Sequence, residues 1–517
     1  MCKEINDFPS NSLHMGLIWM YQYVSHRENQ LLLPDDFFLP FGGKLNKENR
    51  WAKLAQLVPW AYAEGKYAKS FRNSFRGQKA VSIRVALGAL IIQERLQLSD
   101  RETVQQIVEN PYLQYFIGLE GYQDHPPFHP SLMTHFRKRL GEQVLREINE
   151  IIAVEAAKTT QDSDRDDEPK SGTKSKGKRT ARRRSTSEED QNQGVLLVDA
   201  TCAPVDVAYP TDLNLLNEAR EKLEDIIDTL HAPLVGHARK PRTYREKARK
   251  QFLAVAKQRR ASGKVIRRAI GKQLQYVARN LHIIRNLVSR QPLTLLNRKQ
   301  YRDLLVIQEL YRQQRIMLER RSHQIEDRIV SISQPHVRPI VRGKAKARVE
   351  FGAKVSVSMV NGYAILERQS WDNFNEGVTL IEVLEAYKKR FGFYPKAVLA
   401  DQIYRTRENR AFCKTHSIRL SGPALGRPVQ GEEAAEQRRV ARQDASERNA
   451  IEGKFGEGKR KYGLGRIRAR LATTSETVIA LQLLVMNLER RLRDLFVSLM
   501  KQLFAVKLPG SQTICVV

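Results

Sequence analysis

Val195-Leu-Leu-Val198-Asp199 and, much further along, Ala397-Val-Leu-Ala400-Asp401 share one form: four apolar residues, then an aspartate. A continuous apolar run this short predicts a strand buried on both faces rather than one with a wet side. Between the two runs, Val355, Val357 and Met359 alternate with other residues, Asn361-Gly362 is a turn signal, and Tyr363 to Leu366 returns. That pattern predicts a hairpin. Leu380, Ile381, Leu384, Tyr387 and Phe391 then keep the near-3.6 spacing of a helix. Strand, hairpin, helix and strand in this order predict an α/β sheet layered with helices.

Upstream of the first strand the composition changes twice. Residues 158–194 are almost entirely Lys, Arg, Ser, Thr, Asp, Glu and Gly, as in Lys170-Ser-Gly-Thr-Lys-Ser-Lys-Gly-Lys-Arg-Thr-Ala-Arg-Arg-Arg184. So little apolar surface cannot offset ordering entropy, so a disordered charged linker is expected there. Before it, residues 1–157 predict a helical domain. Ile83 to Leu96 is apolar-rich, Ser99-Asp-Arg-Glu102 is a capping box, and the helix it opens stops before Asn110-Pro111. Another helix starts at Ser131 and carries Arg137, Lys138 and Arg139 among Leu132, Phe136 and Leu140. Short helices ending in a basic one suit either a DNA-reading module or a plain bundle.

Charge is the second signal. The 517 residues carry 88 Lys+Arg and 57 Asp+Glu, a net charge of +31, and 30 of those cations against 6 acids fall between His231 and Arg348. Arg245, Lys247, Arg249 and Lys250 form one of the runs. A solvated helical face would mix signs more evenly. This block instead fits phosphate oxygens along a nucleic acid, with salt-sensitive, sequence-independent attraction. Leu274, Val277, Leu281, Ile284 and Leu287 give it a helical period, so residues 212–348 are expected to be a largely helical insertion.

Other chemistries find no support. Four scattered cysteines without a C-x-x-C pair exclude a disulfide scaffold or Cys-rich zinc module, and the eleven His show no H-x-H or H-E-x-x-H pattern. Cys202 lacks an identifiable His partner and is expected to be a buried thiol. The apolar run Val478 to Leu488 is broken by Gln482 and Asn487 and is much shorter than the ~20 residues a membrane span requires. With no secretory signal visible at the N-terminus, the expectation is a cytoplasmic, nucleoid-associated protein without a membrane partner.

A carboxylate at the end of a buried strand is costly unless it is hydrogen-bonded or binds a cation. One such aspartate is ordinarily a cap or turn residue; two with the same approach weaken that reading. A third acid lies in Arg448-Asn-Ala-Ile-Glu452-Gly-Lys-Phe-Gly-Glu-Gly-Lys459, where Arg448, Glu452 and Lys459 share one helical face. Arg448 with Glu452 also reads as a surface ion pair. Gly453, Gly456 and Gly458 are poor helix formers and point to close approach of a ligand or another segment. Asp206 and Asp212 are rival acids, but neither ends an apolar strand, and both are expected to cap or pair within the insertion's first turn.

Asp199 in Val-Asp-Ala-Thr, Asp401 in Ala-Asp-x-x-Tyr, and Arg448-x3-Glu452-x6-Lys459 together resemble the D-D-E transposases of bacterial insertion sequences, in the group with a Y-x2-R-x3-E-x6-K motif. Leu98 to Glu102 and Asn110 to Gly118 are also similar to that group's N-terminal domain, so the resemblance covers nearly the whole chain. It implies a ribonuclease-H-like catalytic domain over residues 195–500, a tail over 501–517, and DNA-end recognition by 1–157. It further implies two Mg²⁺ (Mn²⁺ substituting) on Asp199, Asp401 and Glu452, which suits oxygen-liganded two-metal displacement at phosphorus. Arg448 and Lys459 would lie near the DNA. The implied partners are terminal inverted repeats and target DNA, with a homodimer on paired ends. Ala445 stands where the motif has its Tyr, so the role given to that ring, such as handling a flipped base or hairpin end, is not carried over. Asp401-Gln-Ile-Tyr404 replaces the frequent Asp-Lys-Gly-Tyr. Two alternatives remain open at this point: a catalytically silent DNA-binding relic, and a stand-alone metal-dependent nuclease.

Overall fold

The computed structural model describes residues 33–40, 42–71, 80–166, 192–341, 349–423 and 432–506. The chain forms two compact units, one from Met1–Arg184, Val360–Ile365 and Glu476–Val517, the other from Ser185–Met359 and Leu366–Ser475.

In the first unit the helices are α1 (Arg50–Leu57), α2 (Trp60–Ala68), α3 (Ile83–Leu96), α4 (Asp100–Glu109), α5 (Pro111–Phe116) and α6 (Leu132–Asp166). Buried Leu87, Leu90, Ile91 and Ile92 make α3 central to the core. Local signals set the ends. Ser99 and Glu102 close the capping box of α4, and the Asn110 side chain accepts from Tyr112 N–H at the start of α5, where Pro111 needs no partner. Gly141 kinks α6 at φ 63°, a conformation that favours glycine.

The C-terminal helix, Ala472–Val506, completes this core with buried Ile479, Leu481, Leu484 and Leu488. The polar interruptions of its apolar run are the points of attachment. Gln482 donates to Glu94 Oε2 at 3.1 Å. Asn487 donates to Ala364 O (2.7 Å) and Asn149 Oδ1 (2.8 Å), and its own Oδ1 accepts from Ala364 N–H at 2.9 Å. Glu489 accepts from both Arg50 (2.7 Å) and Arg95 (2.6 Å). Residues from 476 onward therefore belong with the N-terminal helices and not with the 195–500 domain expected, because the buried stripe finds its partners there. The tail expected from 501 is helical through Val506. Likewise α6 runs to Asp166, past the expected linker start at 158; residues 167–191 of that linker lie outside the described residues.

The second unit is built on a mixed sheet of β1 (Val195–Pro204), β2 (Arg338–Val341), β3 (Val349–Val360), β4 (Tyr363–Ser370), β5 (Ala397–Ala400) and β6 (Arg419–Leu420), apart from Val360 and Tyr363–Ile365, which fall in the first unit. Their order is β2-β3-β1-β5-β6, with β4 also paired to β3. Strands β1 and β3 are antiparallel, and β5 runs parallel to both β1 and β6. At Gly352 on β3 a Cβ would sit 2.1 Å from Ala203 O, so that crossing excludes any side chain. Between β1 and β2 stand α7 (Asp212–His231), α8 (Arg245–Ala256), α9 (Gly263–Val288) and α10 (Arg298–Arg320). They enclose their own core of Leu216, Leu223, Ile227, Val277, Ile307 and Leu310. The expected helical insertion is thus present, but it gives way to β2 before 348, where four residues pair with Gly352–Val349 of β3. Helices α11 (Leu380–Phe391), α12 (Arg407–Thr415) and α13 (Glu432–Lys461) follow, with α13 packed on β1 and β5. No described helix is long and apolar enough to cross a membrane.

Candidate active site

The parallel register of β1 and β5 ends at Val198 opposite Ala400. One residue further along each strand stand Asp199 and Asp401, so the sheet delivers both carboxylates at one level on neighbouring strands. Asp401 follows β5 directly, and its side chain accepts from Gln402 N–H at 2.6 Å as it caps the short turn Gln402–Tyr404. Asp199 does not end its strand, contrary to the expectation. Strand β1 continues to Pro204 against β3. The apolar run stops at Asp199 because β5 stops there, which opens the sheet on one side.

That opening is a cleft of about 530 Å³ lined by Asp199, Asp401, Glu452, Arg448, Lys459 and Glu376, among others. Helix α13 supplies Arg448, Glu452 and Lys459 from one face, as their spacing required. Glu452 is 57% exposed, with its carboxylate 3.6 Å from Arg448 Nη2. Burial pushes the Asp199 carboxyl up to about 6; the charges of Glu376 and Asp401 add to this, while the Ala200 N–H and Arg448 oppose it.

Among the described residues no three His, Cys, Asp or Glu side chains come together closely enough to hold an ion. The cleft nonetheless offers the donor chemistry of a hard cation: carboxylate oxygens on two adjacent strands and a third acid on the facing helix. Burial first, then the charges of Glu376 and Asp401, disfavour the ionised Asp199 carboxylate, and a cation bound there would offset both.

Glu376 escaped the sequence reading. It lies between β4 and α11 and lines the same cleft, its Oε1 2.7 Å from Lys354 Nζ. No motif marks it; ahead of an amphipathic helix it resembles any first-turn acid. The rival acids are paired, but not within the insertion's first turn as expected: Asp206 meets Arg466 at 2.9 Å and Asp212 meets Arg328 at 2.7 Å, both far along the chain. Cys202 is buried, as expected, and also lines the cleft.

The proposed glycine contacts are only partly found. Helix α13 runs unbroken through Gly453, Gly456 and Gly458. A Cβ at Gly453 would meet nothing within 4 Å, so no other segment explains that residue, whereas Gly456 lines the cleft.

The basic candidates separate by their partners. Arg137 is committed inside its unit, donating to Gln93 Oε1 at 2.7 Å and pairing with Asp100, and Arg139 stacks 4.0 Å from the Phe71 ring centre. Lys138 is exposed. Arg245 pairs with Asp228 at 2.8 Å, while Lys247, Arg249 and Lys250 are exposed on α8. Arg137 and Arg245 thus each already pair with an acid of their own unit.

Residues 398–489 match the family described as Transposase DDE domain, and residues 40–139 match the one described as Transposase domain (DUF772). The chain belongs to the transposases with a DDE domain, proteins that act on DNA. It is 32% identical over 181 residues to a protein of Rhizobium meliloti described as "Uncharacterized protein ORF8 in nfe locus"; the match covers 35% of this chain and 73% of that protein. No solved structure matches the chain.

Proposed function

We propose that the second unit is a ribonuclease-H-like D-D-E core, in the group with the Arg448-x3-Glu452-x6-Lys459 motif, that cleaves insertion-sequence ends and joins the freed 3′ hydroxyl to target DNA. The observation that carries this reading is the register that sets Asp199 beside Asp401 in a cleft shared with Glu452. Antiparallel β1, β3 and β4, followed by β5 parallel to β1, support the fold assignment.

Asp199, Asp401 and Glu452 would hold Mg²⁺. Bound there, divalent cations stabilise charge on the attacking and leaving oxygens of an in-line displacement at phosphorus. The chain's own groups prepare that step. The Gln402 N–H fixes the Asp401 carboxylate, and Arg448 restrains Glu452 and moderates the charge on Asp199. Arg448 and Lys459 offer cations to phosphate oxygens along the cleft. Water attacks first and frees a 3′ hydroxyl at the element's end; that hydroxyl attacks target DNA next. Two copies acting on paired ends would couple the reactions.

A supercoiled plasmid carrying the gene's flanking inverted repeats tests this directly. Purified protein with Mg²⁺ should cut at both repeats and yield joined products. Cuts scattered without regard to the repeats would indicate a stand-alone nuclease, and binding without cutting a silent relic.

In this reading the insertion supplies sequence-independent affinity, and the first unit reads the ends, with Lys138 as the available member of its basic triplet. Every phosphate left without its cation should lower the magnitude of the log–log salt slope by about 0.9. Replacing Lys247, Arg249 and Lys250 together with Gln is expected to flatten the slope by about two to three, while Arg245→Gln alone should change it little. A triple variant with wild-type salt dependence would make α8 merely a solvated face.

A further inference from the structure

Tyr244, the residue before α8 in the basic insertion, has a backbone conformation that its side chain disfavours. Its φ and ψ are 54° and 33°, in the left-handed region that bulky residues rarely enter and glycine enters without strain. The loop around it is nevertheless fixed. Thr243 is buried, and Arg245 and Lys240 both meet the Asp228 carboxylate at 2.8 Å. The Tyr244 side chain stays 46% exposed. Arg279 of α9 backs its ring, with the guanidinium 4.7 Å from the ring centre, and the same guanidinium lies 5.6 Å from the centre of the Tyr276 ring.

A tyrosine that only stapled the loop would gain by burying its ring, and a glycine would relieve the backbone. What the strained position keeps instead is an aromatic surface open to solvent, in a setting of mostly one charge. Tyr244 lines a shallow concavity of about 490 Å³ with Lys240, Arg242, Arg245 and Lys247, against the single acid Glu246. Arg242 and Lys247 are exposed. Phosphates account for the cations but not for the ring. Single-stranded nucleic acid accounts for both, because cations track its backbone while aromatic faces take its bases irrespective of sequence. In a duplex the base faces are already covered by their neighbours, so a ring of this kind favours unpaired strands.

We propose that Tyr244, backed by Arg279, is a stacking platform for a base of unpaired DNA, whose flanking phosphates lie against Arg242 and Lys247. The inference rests on reading the insertion as a DNA-binding surface and adds to it a preference for single strands. Stacking releases no counterions, so its signature differs from that of the cations: affinity changes while the salt slope does not.

Fluorescence anisotropy of the full chain in EDTA, with a labelled oligothymidylate and with a duplex of the same length, tests this over a range of salt. Tyr244→Gly, which accepts φ 54° without strain, should weaken oligothymidylate binding about fivefold or more at every salt concentration and leave duplex binding within about twofold. Its log–log salt slope should match that of the wild type. Tyr244→Phe keeps the ring and should stay within about twofold of wild type on both DNAs. Thermal melting checks that each variant is folded. Should Tyr244→Gly fail to fold, Tyr244→Asn carries the same expectation, since asparagine also visits the left-handed region. Equal losses on strand and duplex, a shallower slope, a loss on oligothymidylate below about fivefold, a Phe variant as weak as the Gly variant, or no oligothymidylate binding by the wild type would each overturn the proposal. The DNA-surface reading fails separately, if the variant of Lys247, Arg249 and Lys250 keeps the wild-type salt slope.

Discussion

Asp199→Asn, Asp401→Asn and Glu452→Gln are each expected to lower Mg²⁺-dependent end cleavage by about a thousandfold or more, while DNA affinity stays within about twofold of wild type. A factor of that size corresponds to roughly 4 kcal/mol of lost transition-state stabilisation, within what a divalent cation supplies at phosphorus. The separation of cleavage from binding follows from location. The acids lie inside the cleft, whereas the exposed cations of α8 stand on helices with a core of their own. Asp206→Asn is the control, since Asp206 pairs with Arg466 and does not line the cleft. Near-wild-type cleavage in any one acid variant would remove that residue from the site.

The largest structural effect is expected from Asn487→Leu. This side chain makes three hydrogen bonds inside the first unit, two to the backbone of Ala364 and one to Asn149. The substitution strands the Ala364 N–H and the Asn149 Oδ1 in a site with no measurable exposure at position 487. Buried unsatisfied groups cost about 1–3 kcal/mol each, so a loss of about 3 kcal/mol is reasonable. Urea denaturation followed by tryptophan fluorescence reports on this unit through Trp51 and Trp60. A midpoint that hardly moves would mean that water takes the place of the missing amide.

What could be read from the chain beforehand depended on whether the deciding force was local. Helix α3 and the capping box of α4 appear where periodicity and Ser99 put them, because those signals act within a turn or two. The hairpin holds for the same reason: Asn361 and Gly362 both adopt positive φ, at 49° and 80°. The level of Asp199 and Asp401 was legible from two matched apolar runs. That β1 passes beyond Asp199 was not, since its later partner is β3 alone. Strand β2 is four residues long and contains Pro339, so it carries too little pattern to register. Glu376 reached the cleft through Lys354, a contact between residues separated in sequence that no spacing rule encodes.

The Ala364 backbone interrupts the second unit's chain and Asn487 follows it, yet both complete the first unit. The N-terminal helices are therefore not a portable module. A protein cut after residue 184 would leave Arg50 and Arg95 without the Glu489 carboxylate they share, and α6 without the Asn487 amide that Asn149 accepts from. Recombination that swapped only this N-terminal stretch between relatives would inherit the same defect. Any change in the DNA ends such a protein serves must then arise by substitution within one chain, or by joint transfer of three segments that lie far apart in the gene.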